Sequence, residues 1–262
     1  MSDGPAWARA LRGLRRIALL GAGLLAWEVT ARSGTLSPII FPSLASILRE
    51  FGLLAVRVDA LTEAWHSLYR ALGGFGLAAA TGVGIGVLMG RSRLAAGVLD
   101  PLFAGSYPIP KIALFPIFIF VFGIGSLSKI LLVFLECLYP IVINTYAGTR
   151  VVNRVLVWSA LNMGASPGRV LWRVVVPAAA PFIFAGFRVA LPIAMIVVII
   201  TEMISSADGL GYLVIYSLSS LKTDRMLAAV VAIALLGLAL DRILLLLRDR
   251  LVFWERLESY YT

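Results

Sequence analysis

Charge is scarce in this chain. Only 14% of its 262 residues are Asp, Glu, Lys or Arg, where a soluble domain carries about 25%. Thiols and imidazoles are rarer still, with one cysteine, Cys137, inside an apolar stretch, and one histidine, His66. A single cysteine excludes an intrachain disulfide, a Cys-x-x-Cys pair and a thiolate metal site, and a lone histidine builds no metal cluster. Cys137 and His66 fall in different apolar segments, so no nucleophile–base or metal-ligand constellation supports an intramembrane enzyme. The Gly-x-x-x-x-Gly-Lys-Ser/Thr loop that cradles nucleotide phosphates is missing, so the chain does not hold ATP in that manner. Gly74, Gly82, Gly86 and Gly90 follow no strand and precede no acidic residue. They read as a stripe of small residues that lets another helix come close, and not as a dinucleotide loop.

What is present is hydrophobic. Apolar residues make up 60% of the chain and the mean hydropathy is +0.95, which points to a polytopic, all-α membrane protein. The formal charge of +9 is scattered between apolar runs, so it reads as a topology signal and not as a nucleic-acid surface.

Taken in order, residues 1–16 form a basic arm with Trp7 at the headgroups. The first span covers about 17–30 with Glu28 near its outer end, and no small-x-small cleavage site follows it, so it reads as an uncleaved anchor. A turn-rich linker leads to Ser43, a candidate cap for an amphipathic helix bearing Leu44, Ile47, Leu48 and Phe51. The second span runs about 66–90. Residues 94–107 enter the membrane, a kink falls at Tyr107-Pro108-Ile109-Pro110-Lys111, and the third span ends at Phe122. Broken helices are tolerated in membranes where neighbours or a cavity satisfy the freed backbone. The fourth span covers about 128–147, the fifth 182–204, and the sixth 226–247, with an outer excursion over 205–225. On this reading 13 Lys and Arg residues lie inside against six outside, which places both termini in the cytoplasm.

The stretch from Trp158 to Pro177 is a polar, basic interruption between two long apolar segments. Gly164 suits a corner because glycine takes positive φ without strain. Ser166 is a candidate N-cap with Pro167 at the first helical position, so a second short helix starts there and Pro177 closes the run. The product is an L-shaped knob outside the bilayer.

Polar groups within spans each need a partner, a route to water or a task. Glu202 lies near the outer end of the fifth span, either as a gate residue or as a carboxylate bonded to backbone amides. Glu136 is expected either to pair with Arg188 or Lys111 across the bundle or to sit protonated, a scaffold pair being favoured over a substrate contact. Arg188 snorkels towards the inner surface, Asp241-Arg242 forms a local or interhelical pair, and His66 is a boundary residue. With Pro108, Pro110 and Asn144, the residues Glu136, Arg188 and Glu202 are the candidate pathway or gate groups.

The order Ala160, Gly164, Ala165, Ser166 and Pro177 resembles the "EAA" loop of the membrane subunit of binding-protein-dependent ABC importers. Trp158-Ser159-Ala160 stands where that family has Glu-Ala-Ala. The resemblance extends through Ser67, Arg70, Gly74-Phe75, Pro108-Ile109-Pro110, Phe122-Gly123-Ile124-Gly125, Ser128-Lys129, Asn144-Thr145, Glu202-Met203-Ile204 and Gly209-Leu210-Gly211-Tyr212 to the nitrate/sulfonate/taurine type. It implies the type I importer permease fold, a MetI-like core of five helices plus an N-terminal one. The permease domain would then cover 61–251, after an N-terminal region 1–60 and before a cytoplasmic tail 252–262. The loop 150–176 would be the cytoplasmic coupling helix, with Ser159, Ala160, Gly164, Ala165, Ser166, Pro167, Arg169 and Pro177 at the docking surface of a separate ATPase.

The same resemblance implies a multi-pass protein of the bacterial inner membrane, working as a homodimer with two ATP-binding subunits and a periplasmic solute-binding protein. It implies no cofactor in this chain, ATP and Mg being bound by the partner ATPase, and no enzyme activity of the chain's own. The solute would be a sulfonate, taurine, nitrate or a similar small anion or zwitterion; an uncharged heterocyclic nutrient is the variant reading. The competing class is an ion-coupled secondary transporter using Glu136 and Glu202, against which stand the 158–177 loop and the lack of an internal repeat.

Overall fold

The computed structural model describes residues 6–254. Apart from Arg15, the side chains of the basic arm, Trp7 among them, and the tail beyond Trp254 lie outside the described residues. Helices account for all regular structure there, with no strand among the described residues. In order they are α1 (Ala6–Arg32), α2 (Leu44–Val56), α3 (Val58–Arg91), α4 (Arg93–Ser106), α5 (Phe115–Phe122), α6 (Ser126–Arg150), α7 (Arg154–Asn162), α8 (Pro167–Val170), α9 (Val176–Ser205), α10 (Leu210–Ser219) and α11 (Thr223–Leu251).

Among the described residues four helices are long and apolar enough to cross a membrane: Val58–Arg91, Ser126–Arg150, Pro167–Ser205 and Thr223–Leu251. A fifth is obtained if Arg93–Ser106 and Lys111–Phe122, bent by 85° at the Pro108–Pro110 break, count as one span. The expected first span lies inside α1 and is not among them. Its uninterrupted apolar stretch, 17–27, sits between Arg15-Arg16 and Glu28 and is shorter than the roughly 20 residues a straight span needs.

Other boundaries shift as well. The second span begins eight residues before His66, because only Arg57 separates α2 from α3. The excursion over 205–225 contains an apolar helix, α10, that its Gly-rich start had hidden. Pro177 does not close the 167–176 helix. The chain passes it through one π-type turn, Leu171–Val175, in which Val176 N–H bonds Leu171 O, and runs on as α9. Proline lacks an N–H, and a widened turn beside it absorbs the missing donor.

The described residues divide into two compact units. One takes the residues up to Leu61 with Leu213–Ala232, the other Thr62–Tyr212 with Ile233 onward. In the first unit Ser43 caps α2, accepting from Ser46 N–H. Glu28 forms an i,i+4 ion pair with Arg32 at 2.6 Å and accepts from Leu44 N–H at 2.7 Å, so its charge sits at the positive end of α2. Trp27 stacks on Phe41 at 4.3 Å and donates to Pro42 O, which fixes the α1–α2 linker.

The second unit holds the main core, where α6 packs along α9 and α3 closes on α6. Ala71, Ala78, Leu132, Val133, Cys137, Ile141, Ala190, Ala194 and Val198 are fully buried there. The glycine stripe of α3 does what its spacing suggests. A Cβ at Gly74 would come within 2.6 Å of Val133, at Gly82 within 2.8 Å of Ile141, and at Gly86 within 2.6 Å of Thr145. Such overpacking costs about 1–3 kcal/mol per site.

Candidate functional site

The corner at Gly164 is built by a local hydrogen-bond motif. Asn153 caps α7 by accepting from Val155 N–H at 2.9 Å. At the other end Ala165 N–H reaches back to Ala160 O and Gly164 N–H to Leu161 O, at 3.0 and 2.9 Å. That bond pair, with Gly164 at φ +83°, is the Schellman termination, in which the residue after the cap must adopt the left-handed conformation. Ala160 and Ala165 pack in a small core with Val157, Val170 and Val175, so the corner carries its own hydrophobic anchor. Ser166 then starts the next helix by accepting from Arg169 N–H, and Pro167 takes the first turn.

Ser159 and Arg169 are exposed beside the corner. So are two large apolar groups that sequence reasoning had not assigned to a surface, Trp158 at 61% and Met163 at 81% exposure. Trp158 occupies the position where an acidic residue had been expected from the resemblance. The result is an apolar, basic knob between α6 and α9.

The break between α4 and α5 makes a second feature. Pro108, Pro110 and Glu136 line one cavity of about 300 Å³ with Lys111 and Tyr139. Lys111 is buried, yet no carboxylate pairs with it among the described residues. Its ammonium donates to Tyr107 O and Ile109 O at 3.1 and 3.2 Å and lies 3.9 Å from the Tyr139 ring centre. Carbonyls at an interrupted helix end lack intrahelical donors, and the lysine supplies them. The aromatic face stabilises the same cation.

The expected pairing of Glu136 with Arg188 or Lys111 does not form. Arg188 faces Asp241 of α11 at 3.8 Å, so of the local and interhelical pairs left open for Asp241-Arg242 the contact that forms is an interhelical one of Asp241. Asn144 is half-buried and donates to Pro140 O at 2.8 Å, where Gly186 of α9 packs against its Cβ. Neither Asn144 nor Arg188 lines the Pro108–Glu136 cavity, although their neighbours Pro140 and Val189 do.

Glu202 has company that the sequence did not reveal. It is fully buried, and Arg70 of α3 is 3% exposed. Arg70 Nη1 donates to Glu202 Oε1 at 2.8 Å and Nη2 to Asp208 Oδ1 at 2.6 Å, while Nε donates to Ser126 Oγ at 3.0 Å. The other carboxylate oxygen of Glu202 accepts from Ser67 Oγ at 2.7 Å and Gly211 N–H at 3.1 Å. Ser67 Oγ in turn accepts from Leu210 N–H at 2.8 Å, and Gly209 N–H donates to Glu63.

A carboxylate bonded to a backbone amide was one of the two readings of Glu202, and that bond is present. The ion pair is the larger feature. His66 is more than a boundary residue, since its Nδ1 lies 2.9 Å from Asp208 Oδ2. At Gly209, φ is +99° and a Cβ would run into the Glu202 carboxylate, so glycine is required twice over. Burial pushes the Asp208 carboxyl up, but its bonds from Arg70, His66 and Ser206 more than offset that and hold it below the usual carboxylate range. The arrangement clamps the turn between α9 and α10 onto the start of α3.

Residues 82–253 match the family described as the binding-protein-dependent transport system inner membrane component. Among curated relatives, an ABC transporter permease protein of Methanocaldococcus jannaschii, so named, is 33% identical over 92% of both chains. The taurine transport system permease protein TauC of Escherichia coli is 31% identical over 95% of this chain and 92% of its own. A Bacillus subtilis protein named for aliphatic sulfonate transport, SsuC, is 32% identical over 90% of this chain and 86% of its own. Among solved structures, an inward-facing form of the MetNI methionine ABC transporter has a chain that matches with a TM-score of 0.54 at 18% identity, covering 78% of this chain and 96% of that one. That likeness extends to the fold, in keeping with the expected MetI-like core. Family match, relatives and fold agree that this chain belongs to the inner-membrane permease components of binding-protein-dependent ABC transport systems.

Proposed function

We propose that the chain crosses the membrane six times, α1 included despite its short apolar stretch, and forms half of a dimeric pathway that moves a small anion or zwitterion, of the taurine, alkanesulfonate or nitrate kind, into the cytoplasm by alternating access. Energy enters from two copies of a separate ATPase that bind the ATP and Mg, and solute arrives from a periplasmic binding protein. The observation that carries this reading is the Gly164 corner, a rigid, self-anchored knob with exposed Trp158 and Met163, set between two membrane-spanning helices. Ser159, Arg169 and the Ser166-Pro167 start form its polar rim. Closure of the ATPase pair moves the knobs together, and α6 and α9 transmit the movement because they are packed along their length.

Support for the solute class comes from the names of TauC and SsuC and from Lys111. A buried cation with no carboxylate partner beside the α4–α5 break suits a negatively charged group passing close by. Pro108, Pro110 and Glu136 shape the same cavity. Glu202 acts at the other end as the anchor of the outer turn.

The orientation is checked by labelling. In a Cys137→Ala background, Ser206→Cys is expected to react with an impermeant maleimide added outside intact cells, and Ser166→Cys only after permeabilisation. The opposite pattern would put the knob on the wrong side for any cytoplasmic ATPase.

A further inference from the structure

Where α3, α4, α6 and α7 end or begin, the second unit holds a cavity of about 640 Å³, within the size range of small-molecule sites, about 300–1,000 Å³. Arg91, Arg93, Arg150 and Arg154 all line it, with Tyr146 and Trp158, and no Asp or Glu does. None of the four guanidinium groups pairs with a carboxylate among the described residues.

A solvated basic rim accounts for two of them. Arg91 and Arg150 lie in the last turns of α3 and α6, where a cation complements the negative helix end. Arg93 and Arg154 are placed the other way. They are the first residues of α4 and α7, whose first turns carry no acidic group. A cation at the positive end of a helix is unfavourable. All four residues are exposed and both helix starts are capped, by Ser92 and Asn153, so the helix ends alone demand no ligand. What calls for an anion is the convergence of four cations, with no acidic residue, on one cavity.

We propose that this cavity binds a phosphate group, and that the group is the phosphodiester headgroup of an anionic phospholipid. Guanidinium forks bind phosphate oxygens in pairs, and two helix starts add their amide dipoles. Basic pockets between the ends of membrane-spanning helices suit such headgroups. A cavity of this volume has room for more than one phosphate, which favours a cardiolipin-like headgroup over a lone ion. Tyr146, on the membrane-spanning α6, is placed to lie against its glycerol portion.

The test uses the full chain purified in a neutral detergent, with native mass spectrometry and thermal melting as readouts. Cardiolipin, phosphatidylglycerol, phosphatidylcholine and inorganic phosphate are added at equal phosphate concentration. The two anionic lipids are expected to remain bound and to raise the melting temperature, with the other two ineffective. Arg93→Gln/Arg154→Gln should weaken lipid retention at least tenfold, while Arg49→Gln/Arg57→Gln, with the same loss of charge elsewhere, should behave as wild type. Arg93→Lys/Arg154→Lys keeps the charge without the forks and should fall between. An equal shift with inorganic phosphate would assign the site to a free anion and overturn the lipid assignment. Equal lipid retention in both Gln pairs, or none in wild type, would overturn the site. Lipid fully expelled by a bound ATPase subunit would assign the cavity to that partner's acidic surface instead.

Discussion

Glu202→Leu is expected to destabilise the protein by about 3–5 kcal/mol, because it leaves Arg70 buried with half of its counter-charge gone. Arg70 is 3% exposed and receives nothing from water that could replace the Glu202 carboxylate. The companion change Arg70→Met strands Glu202, which is fully buried, and should cost a similar amount. The double variant is expected to cost far less than the sum of the two, since replacing a whole buried pair by apolar groups is often near neutral.

Thermal melting of the detergent-solubilised chain, run as a double-mutant cycle, measures this. Additive effects would mean that the 2.8 Å contact contributes nothing specific. The wild type should also lose stability in acid. The Asp208 carboxyl is held below its usual range, so its contribution is complete above the ordinary carboxylate pKa of about 3.9. That contribution disappears as pH falls through the lowered value. In Arg70→Met most of this acid sensitivity should vanish with the partner that causes it.

Gly164→Val should give the second large effect, on coupling and not on insertion. At φ +83° a β-branched residue is strained by roughly 1–3 kcal/mol. The chain relieves the strain by giving up the Ala165–Ala160 and Gly164–Leu161 bonds. α7 and α8 then lose their fixed angle, and Trp158 and Met163 no longer present one surface. The variant is expected to insert and assemble normally, with solute-stimulated ATP hydrolysis reduced at least tenfold. Stimulation at the wild-type level would show that the corner is not where force is delivered.

These two sites differ in how much of them could be read from the sequence. The Gly164 corner and the Ser166-Pro167 helix start are decided within six residues by φ, capping and proline geometry, so local chemistry was enough. The stop at Pro177 was local reasoning too, but it failed because the wide turn at Leu171–Val175 carries the helix past a missing N–H. Arg70 and Glu202 lie 132 positions apart, and no spacing rule links them. Their pairing follows from the rotations of α3 and α9, which packing sets. The same ignorance of rotation led to the Glu136–Arg188 expectation, whereas Arg188 faces Asp241. The glycine stripe of α3 was legible because a run of small residues reports closeness to some helix, although not that the helix is α6. Trp158 and the apolar helix α10 were passed over, the first for standing in an acidic position and the second for following a glycine-rich turn.

Driven uptake addresses the central claim most directly. Proteoliposomes containing this chain with a candidate partner ATPase are loaded with ATP and Mg, given a candidate binding protein outside, and assayed for entry of radiolabelled taurine or an alkanesulfonate. Uptake is expected only when chain, ATPase, internal ATP and binding protein are all present, and it should be indifferent to a proton gradient. Uptake by the chain alone, driven by a proton or sodium gradient and abolished by Glu136→Gln or Glu202→Gln, would contradict an ATP-driven permease and make this chain a secondary transporter.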